Sequence, residues 1–134
     1  MTLLEAPPLE ASRAFWGGLI EEGSPFEVAV DREKIVGWCD VTPIGRPTLS
    51  HVGVLGMGLL PDYRGGGIGR RLMESALRRA PAIGIERVEL HVFADNGRAR
   101  RLYEASGFVV EGTHPRRLKI DGRYRDDIMM AQVF

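Results

Sequence analysis

One continuous stretch, from His51 to Ala80, constrains the fold of this chain most, because three kinds of structure follow one another within it. An apolar run leads into the glycine-rich turn Arg64-Gly65-Gly66-Gly67-Ile68-Gly69, and a segment with apolar residues at helical spacing follows. Glycines let backbone N–H groups approach a ligand, and a helix begins with unpaired N–H donors and the positive end of its dipole. The sequence therefore predicts a site for phosphate-like anions, with a cation supplied by Arg64.

The spacing within this turn distinguishes between known kinds of phosphate loop. A Rossmann loop needs G-x-G-x-x-G, but counting from Gly65 the sixth place is Arg70. A P-loop needs Gly-Lys followed by Ser or Thr, and the turn contains no lysine. The spacing that fits is R-x-x-G-x-G, at Arg64, Gly67 and Gly69. Glycines that serve only the packing of a strand against a helix remain the alternative interpretation.

The composition excludes several classes of protein. Its 134 residues favour one domain, over residues 1–134, and the 18 basic residues balance 18 acidic ones. We therefore expect neither a nucleic acid nor a membrane as partner. The single cysteine, Cys39, cannot form an internal disulfide, and its apolar neighbours predict a buried, inert thiol. No signal peptide is recognisable, so a cytoplasmic protein is expected.

Hydrophobic periodicity and turn residues predict the order of the elements. Strand, helix and strand around the glycine turn predict a crossover unit with a parallel pair. Phe15 and Trp16, in the first helix, belong either to the core or to an acceptor pocket. The predicted elements are a helix over 9–22, strands over 26–30, 35–41, 52–60 and 87–93, helices over 68–80 and 96–106, a short strand over 109–111 and a hairpin turn at Asp121-Gly122.

A second motif spans the last predicted helix and the residues on either side of it. The segment ADNGRARRLYEASGF resembles N-x-x-A-x-x-L-Y-x-x-x-G-F, and with the R-x-x-G-x-G turn it resembles the GNAT superfamily of acyl-CoA-dependent N-acetyltransferases. The resemblance runs from Val52 to the C-terminus and before that rests on element order only. It implies an α/β (α+β) fold with a mixed central sheet, splayed parallel strands and flanking helices, and the N-terminal elements of this chain are shorter than is usual in that family. The matching residues of the second motif are Asn96, Ala99, Leu102, Tyr103, Gly107 and Phe108.

The resemblance implies transfer of an acetyl group from acetyl-CoA directly to a primary amine, of a small molecule or of a protein N-terminus, without a metal. Tyr103 matches the family's general acid, and Asn96 would serve as helix cap, as a contact to CoA, or both. A bulged strand would expose its backbone to the pantetheine arm. The implied cofactor contacts are Gly58, Leu59, Leu60, Arg64, Gly65, Gly66, Gly67, Ile68, Gly69, Arg70, Asn96 and Tyr103.

The general base and the acceptor remain open in the sequence. Some family members carry a glutamate in the strand before the loop, near the position of Gly53, and no carboxylate stands there. His51 is the preferred substitute, with His91 and Glu89 as alternatives.

The acceptor can be an amino acid, a polyamine, an antibiotic, a herbicide-like amine or a protein N-terminus. A CoA-binding regulatory module without transfer is the rival function, and a dehydrogenase-like nucleotide binder is disfavoured by the loop spacing. The short N-terminal part leaves a sheet edge that a homodimer can cover.

Overall fold

The computed structural model describes residues 23–134, so the helix predicted over 9–22, with Phe15 and Trp16, lies outside the described residues. Six strands form one mixed sheet in the order β1-β2-β3-β4-β6-β5. The elements are β1 (Phe26–Asp31), β2 (Lys34–Pro43), β3 (Val52–Leu59), α1 (Ile68–Arg79), β4 (Arg87–Phe93), α2 (Gly97–Ala105), β5 (Val109–Ile120) and β6 (Arg123–Val133), with short 3-10 turns at Pro47–Leu49, Pro61–Tyr63 and Ala80–Ile83.

Two hairpins close on two-residue turns. Arg32 and Glu33 join β1 to β2 with φ values of 48° and 68°, and Asp121 and Gly122 join β5 to β6 at 51° and 77°. Positive φ at both central residues matches the right-handed twist of the flanking strands. The hairpin predicted at Asp121-Gly122 is thereby confirmed.

The ends of α2 follow from its sequence signals. The side chain of Asn96 accepts a hydrogen bond of 3.2 Å from the N–H of Ala99, which caps the helix. At the other end Gly107 has φ of 101°, and the N–H of Phe108 donates to the Tyr103 carbonyl at 3.0 Å. Both predicted ends of this helix are confirmed.

The prediction for β5 was wrong in one respect. A short strand and a separate hairpin arm were expected, but Val109–Ile120 forms one strand whose pairing with β6 shifts between His114 and Leu118. The shift is a bulge around Pro115, which has no N–H to give to the ladder. Arg116, at φ of 56°, donates its N–H to Asp126 Oδ1 at 2.8 Å. The bulge therefore turns this part of β5 without ending the strand.

β3 and β4 are parallel neighbours that separate along their length. They pair at only three positions, the last of which joins Val54 to Glu89. The ladder between β2 and β3 is continuous from Gly37–Leu59 to Pro43–Gly53, so the bulge that the resemblance implied is not present in it. The predicted splay is confirmed, and it opens a cleft between β3 and β4 beyond Val54.

One hydrophobic core lies between the sheet and the two helices. Residues of α1 such as Met73 and of α2 such as Tyr103 pack in one cluster with Val88, Leu90 and Val92 of β4. Because side chains alternate along a strand, Glu89 and His91 lie on the opposite face of the sheet. No helix within residues 23–134 is long and apolar enough to cross a membrane.

Candidate active site

The cleft exposes one edge of β3. The N–H of Leu60 donates to the Val36 carbonyl at 2.9 Å, so alternate residues of β3 bond to β2. Of the residues between them, Met57 and Leu59 direct their backbone groups to the other side beyond the last pair with β4. A free strand edge of this kind can pair with a peptide-like ligand.

Of the three residues expected to contact pantetheine, only Leu59 directs its backbone into the cleft. The register pairs Gly58 with Trp38 of β2. Both backbone groups of Leu60 are used, since its carbonyl also accepts the N–H of Tyr63 at 3.0 Å. A contact from Gly58 or Leu60 therefore remains a prediction that the backbone pairing does not favour.

The glycine turn lies at the end of this free edge. Gly65 and Gly67 have φ values of 84° and 89°, and Gly67 begins α1 without a side-chain cap. A Cβ built on Gly66 or Gly67 would have no atom within 4 Å. The first turn of α1 contains no acidic residue, so its N–H groups keep their attraction for an anion. Open space and bare amides are what a diphosphate requires.

Three arginines surround this turn, and one of them was not predicted. Arg64 donates from Nε to the Leu59 carbonyl at 3.0 Å and so ties the turn to β3. Arg70 forms an exposed ion pair of 2.9 Å with Glu74. The guanidinium of Arg98, in the first turn of α2, lies directly over Gly65. Its position two residues after the Asn96 cap is the signal that could have identified it.

The two remaining predicted residues of the loop also serve packing. Ile68 packs against the core, and a Cβ on Gly69 would lie 2.5 Å from Cε of Met57. Gly69 therefore lets α1 approach β3 closely, which holds the loop against the free edge.

Tyr103 is a buried phenol. Its side chain is 4% exposed and packs edge-to-face against Phe108, with ring centroids 6.1 Å apart. Burial, with a smaller contribution from the neighbouring Cys39, raises the pKa of Tyr103 to about 12. No residue within 23–134 accepts a hydrogen bond from its hydroxyl. The phenol therefore keeps its proton at neutral pH and has it free to donate.

Cys39 is fully buried, as predicted. Burial, together with the charges of Asp40 and Glu27, raises the pKa of its thiol. A thiol that stays protonated is a poor nucleophile, so Cys39 contributes packing.

His51 is not brought to the cleft. It is exposed, in the turn before β3, and its carbonyl accepts the N–H groups of Glu86 and Arg87 at 2.8 and 3.2 Å. The paired part of β3 separates it from the opening, and it lies roughly 26 Å of strand from Leu59 at about 3.3 Å per residue. The geometry does not support His51 as the base.

The two alternatives, His91 and Glu89, border the cleft on the face opposite the helices. They line a cavity of about 710 Å³ together with Thr113, His114, Pro115, Arg117 and Met129. Glu89 accepts a hydrogen bond of 2.9 Å from Arg87 Nε, and Arg87 also pairs with Glu111. His91 places Nδ1 2.7 Å from Asp127 Oδ2. His91 is therefore the candidate that a carboxylate orients.

Asp127 joins several side chains at this cavity. His114 Nδ1 lies 3.2 Å and Arg117 Nη1 3.0 Å from the same oxygen, Oδ2. Burial alone would raise the pKa of Asp127, but hydrogen bonds from both histidines and the charge of Arg117 lower it below its usual value. The three groups His91, His114 and Asp127 could ligate a metal, since their ligand atoms lie within 4.8 Å of one another. Arg117 Nη1, 3.3 Å from both imidazole nitrogens, already supplies a positive charge there.

Asp40, a carboxylate on the other side of the cleft, was also not identified from the sequence. Asp40 of β2 is 4% exposed and accepts hydrogen bonds from Trp38 Nε1 at 3.2 Å and Thr42 Oγ1 at 3.0 Å. Its Oδ2 lies 3.1 Å from the place of a Cβ on Gly56, so the carboxylate leans over β3. Burial raises the pKa of Asp40 in spite of these hydrogen bonds. The pairing of a carboxylate with a glycine on the next strand was the available signal.

Known proteins resemble this chain in sequence. The chain is 30% identical over 122 residues to YwnH of Bacillus subtilis (strain 168), provisionally named a phosphinothricin acetyltransferase, covering 90% of this chain and 75% of that protein. It is 31% identical over 100 residues to the L-amino acid N-acetyltransferase AaaT of Escherichia coli (strain K12), covering 74% of this chain and 62% of AaaT.

A solved structure agrees. The fold superposes with a TM-score of 0.88 and 26% identity on a GNAT superfamily phosphinothricin acetyltransferase from Sinorhizobium meliloti in complex with AcCoA, covering 97% of this chain and 72% of that one. The sequence profile of the Acetyltransferase (GNAT) family matches residues 3–108. The chain therefore belongs to the acetyltransferase (GNAT) family.

Proposed function

We propose that this chain transfers the acetyl group of acetyl-CoA directly to the primary amine of a small molecule or of a protein N-terminus. Family membership gives acetyl transfer from acetyl-CoA to an amine, and the proposal adds the class of acceptor and the residues. The observation that supports it is the separation of β3 from β4 after Val54, beside a glycine turn whose helix begins without a side-chain cap. The similarity to an L-amino acid N-acetyltransferase favours small amino compounds as the first acceptors to test.

The residues of the cleft fit the donor. The amides of the turn from Gly65 to Arg70, with Arg64 and Arg98, would bind the diphosphate. The N–H of Leu59, at the free edge, would pair with the pantetheine arm or the thioester carbonyl. Acetyl-CoA supplies a thioester whose acyl carbon bonds to the amine nitrogen as the carbon–sulfur bond breaks. Tyr103 would give its proton to the departing sulfur, since its raised pKa keeps the phenol neutral until then.

We further expect a cytoplasmic protein that acts without nucleic acid, membrane or metal. A homodimer is expected through the sheet edge at β1, where Val28 and Val30 are exposed. The comparisons give no support to the regulatory module that was the rival function.

Thiol release from acetyl-CoA in the presence of a panel of amines tests the proposal. Tyr103→Phe is expected to lower kcat by about 100-fold, the usual contribution of a general acid, with acetyl-CoA affinity unchanged. Tyr124→Phe, on the exposed hairpin, is the matched control and should retain full activity. Tight CoA binding without turnover of any amine would favour the regulatory module, and unchanged kcat in Tyr103→Phe would remove Tyr103 from the mechanism.

A further inference from the structure

We propose that the cavity lined by His91 and Arg117 is the acceptor site, and that the acceptor is an amino acid whose amine meets His91 while its carboxylate binds Arg117. The inference rests on the proposed function and adds to it a substrate class and a proton acceptor.

The cavity lies where the acceptor must arrive. The last pair between β3 and β4 joins Val54 to Glu89, and His91 is the next residue of β4 on the same face. Its side chain therefore stands beside the start of the cleft, on the face opposite the core. A donor bound along the free edge of β3 and an acceptor in the cavity would meet at this point.

His91 has the surroundings of a base. Its Nδ1 lies 2.7 Å from Asp127 Oδ2, and this carboxylate is 4% exposed. A carboxylate that accepts from Nδ1–H orients the ring and leaves Nε2 to take a proton. The side chain of His91 is 37% exposed, so a ligand in the cavity can reach it. Glu89 is instead held by Arg87, and Asp40 is buried beneath two donors.

Arg117 offers a place for a carboxylate. Its contacts to Asp127, His91 and His114 all use Nη1. Among residues 23–134 nothing accepts a hydrogen bond from its Nε or Nη2, and the side chain is 51% exposed. These two nitrogens form the edge of a guanidinium that binds a carboxylate with two parallel hydrogen bonds. The bulge of β5 at Arg116 places Arg117 in the lining of the cavity.

The carboxylates at the cavity are paired. Glu89, which lines it, pairs with Arg87, and Asp127 beside it pairs with Arg117. A ligand carboxylate therefore meets no unpaired negative charge among the lining residues, and His114 stands beside it. In the transfer step His91 Nε2 takes a proton from the amine as the nitrogen–carbon bond forms. The carbon–sulfur bond breaks, and the sulfur takes the proton of Tyr103.

The test uses pairs of acceptors that differ only in the carboxylate, such as leucine with isopentylamine and phenylalanine with phenethylamine. Transfer to the amino acid of a pair is expected to exceed transfer to its amine by about 10-fold or more in kcat/KM. Arg117→Gln should raise KM for the amino acid by about 10- to 100-fold, the contribution of a charged hydrogen-bonded pair, and reduce the preference for the amino acid over its amine. Arg123→Gln, an exposed arginine at the start of β6, is the control expected to change neither.

The kinetics of a variant test His91. His91→Gln should lower kcat by about 100-fold, with acetyl-CoA affinity retained. Asp127, His114, Arg117 and Glu89 face His91, so His114→Gln is measured alongside to separate the two imidazoles.

Equal transfer to both members of every pair, a ratio unaffected by Arg117→Gln, or a kcat that His91→Gln leaves unchanged would overturn the inference. Failure of the proposed function would look different, because no amine would then release thiol from acetyl-CoA.

Discussion

Two regions rich in glycine meet at the cleft, and their glycines do opposite things. In the turn before α1, a Cβ on Gly66 or Gly67 would enter open space. In β3, a Cβ on Gly53 would lie 2.6 Å from Val41 Cγ1, and one on Gly58 would lie 2.6 Å from Trp38 Cε3. The loop glycines leave the backbone bare, whereas the strand glycines make room for side chains of β2.

The difference shows that glycine content alone does not mark a ligand site. Empty space directly before the first turn of α1 marks Gly66 and Gly67 as places where a ligand can approach. In β3 the same space is filled by side chains of the neighbouring strand. The backbone groups that β3 offers to a ligand point sideways along the free edge, away from these filled positions.

The largest effect is expected in the glycine turn before α1, where Gly67 adjoins open space. Gly67→Val should weaken binding of acetyl-CoA by about 1000-fold, roughly 4 kcal/mol, because the side chain fills the approach to the amides. Isothermal titration calorimetry measures it. Gly84→Val is the matched control, since Gly84 has φ of 86° and ψ of 13° against 89° and 0° at Gly67, and both positions are open. Backbone strain should therefore be equal, and equal CoA affinity of the two variants would contradict the diphosphate site.

The next largest effect is expected in β3, where side chains of β2 fill the space beside the glycines. Gly58→Ala should destabilise the fold by about 3 kcal/mol, because the Cβ overlaps the Trp38 ring and moving the ring breaks its 3.2 Å hydrogen bond to Asp40. Urea unfolding measures the loss. Gly66→Ala should change stability little, since φ there is not positive and the space is open. Similar losses in both variants would end the distinction between open and filled glycines.

The elements on the expected acetyl-CoA side of the cleft could be predicted from the sequence, because their signals are local. The turn from Arg64 to Gly69, the Asn96 cap and the Gly107 end are spaced within single elements, and structure and family both agree with the elements they predicted. The roles of these residues in binding remain predictions.

The cavity lined by His91 and Arg117 could not be predicted in the same way. His91, His114 and Asp127 come from β4, β5 and β6, and only the sheet order with the bulge at Pro115 brings them together. The distance of His51 from the opening likewise depends on where β3 leaves β4, and no local pattern marks Val54 as that point. Long-range pairing, which spacing does not encode, explains why neither arrangement could be predicted.

A smaller effect tests the burial of the Tyr103 side chain in the core. The pKa of Tyr103 is about 12 in the fold and about 10 in an unfolded chain, so the neutral phenol stabilises the fold below pH 10. This contribution, on the order of 2 kcal/mol, should be lost as pH rises from about 10 to about 12. Tyr103→Phe should flatten that part of the stability profile measured by urea unfolding. A profile that Tyr103→Phe leaves unchanged would mean that water reaches the hydroxyl.

The smallest effect is at Gly56, where the filling is loosest. A Cβ there would lie 3.1 to 3.5 Å from the Asp40 carboxylate, so Gly56→Ala should push the carboxylate from its donors at a cost of about 1 kcal/mol, the value of one hydrogen bond. If the carboxylate causes that cost, Asp40→Ala should abolish it, and the double-mutant cycle should give a coupling of about 1 kcal/mol. Zero coupling would show that Gly56 stays empty for another reason, and this position would then belong with the open glycines of the loop.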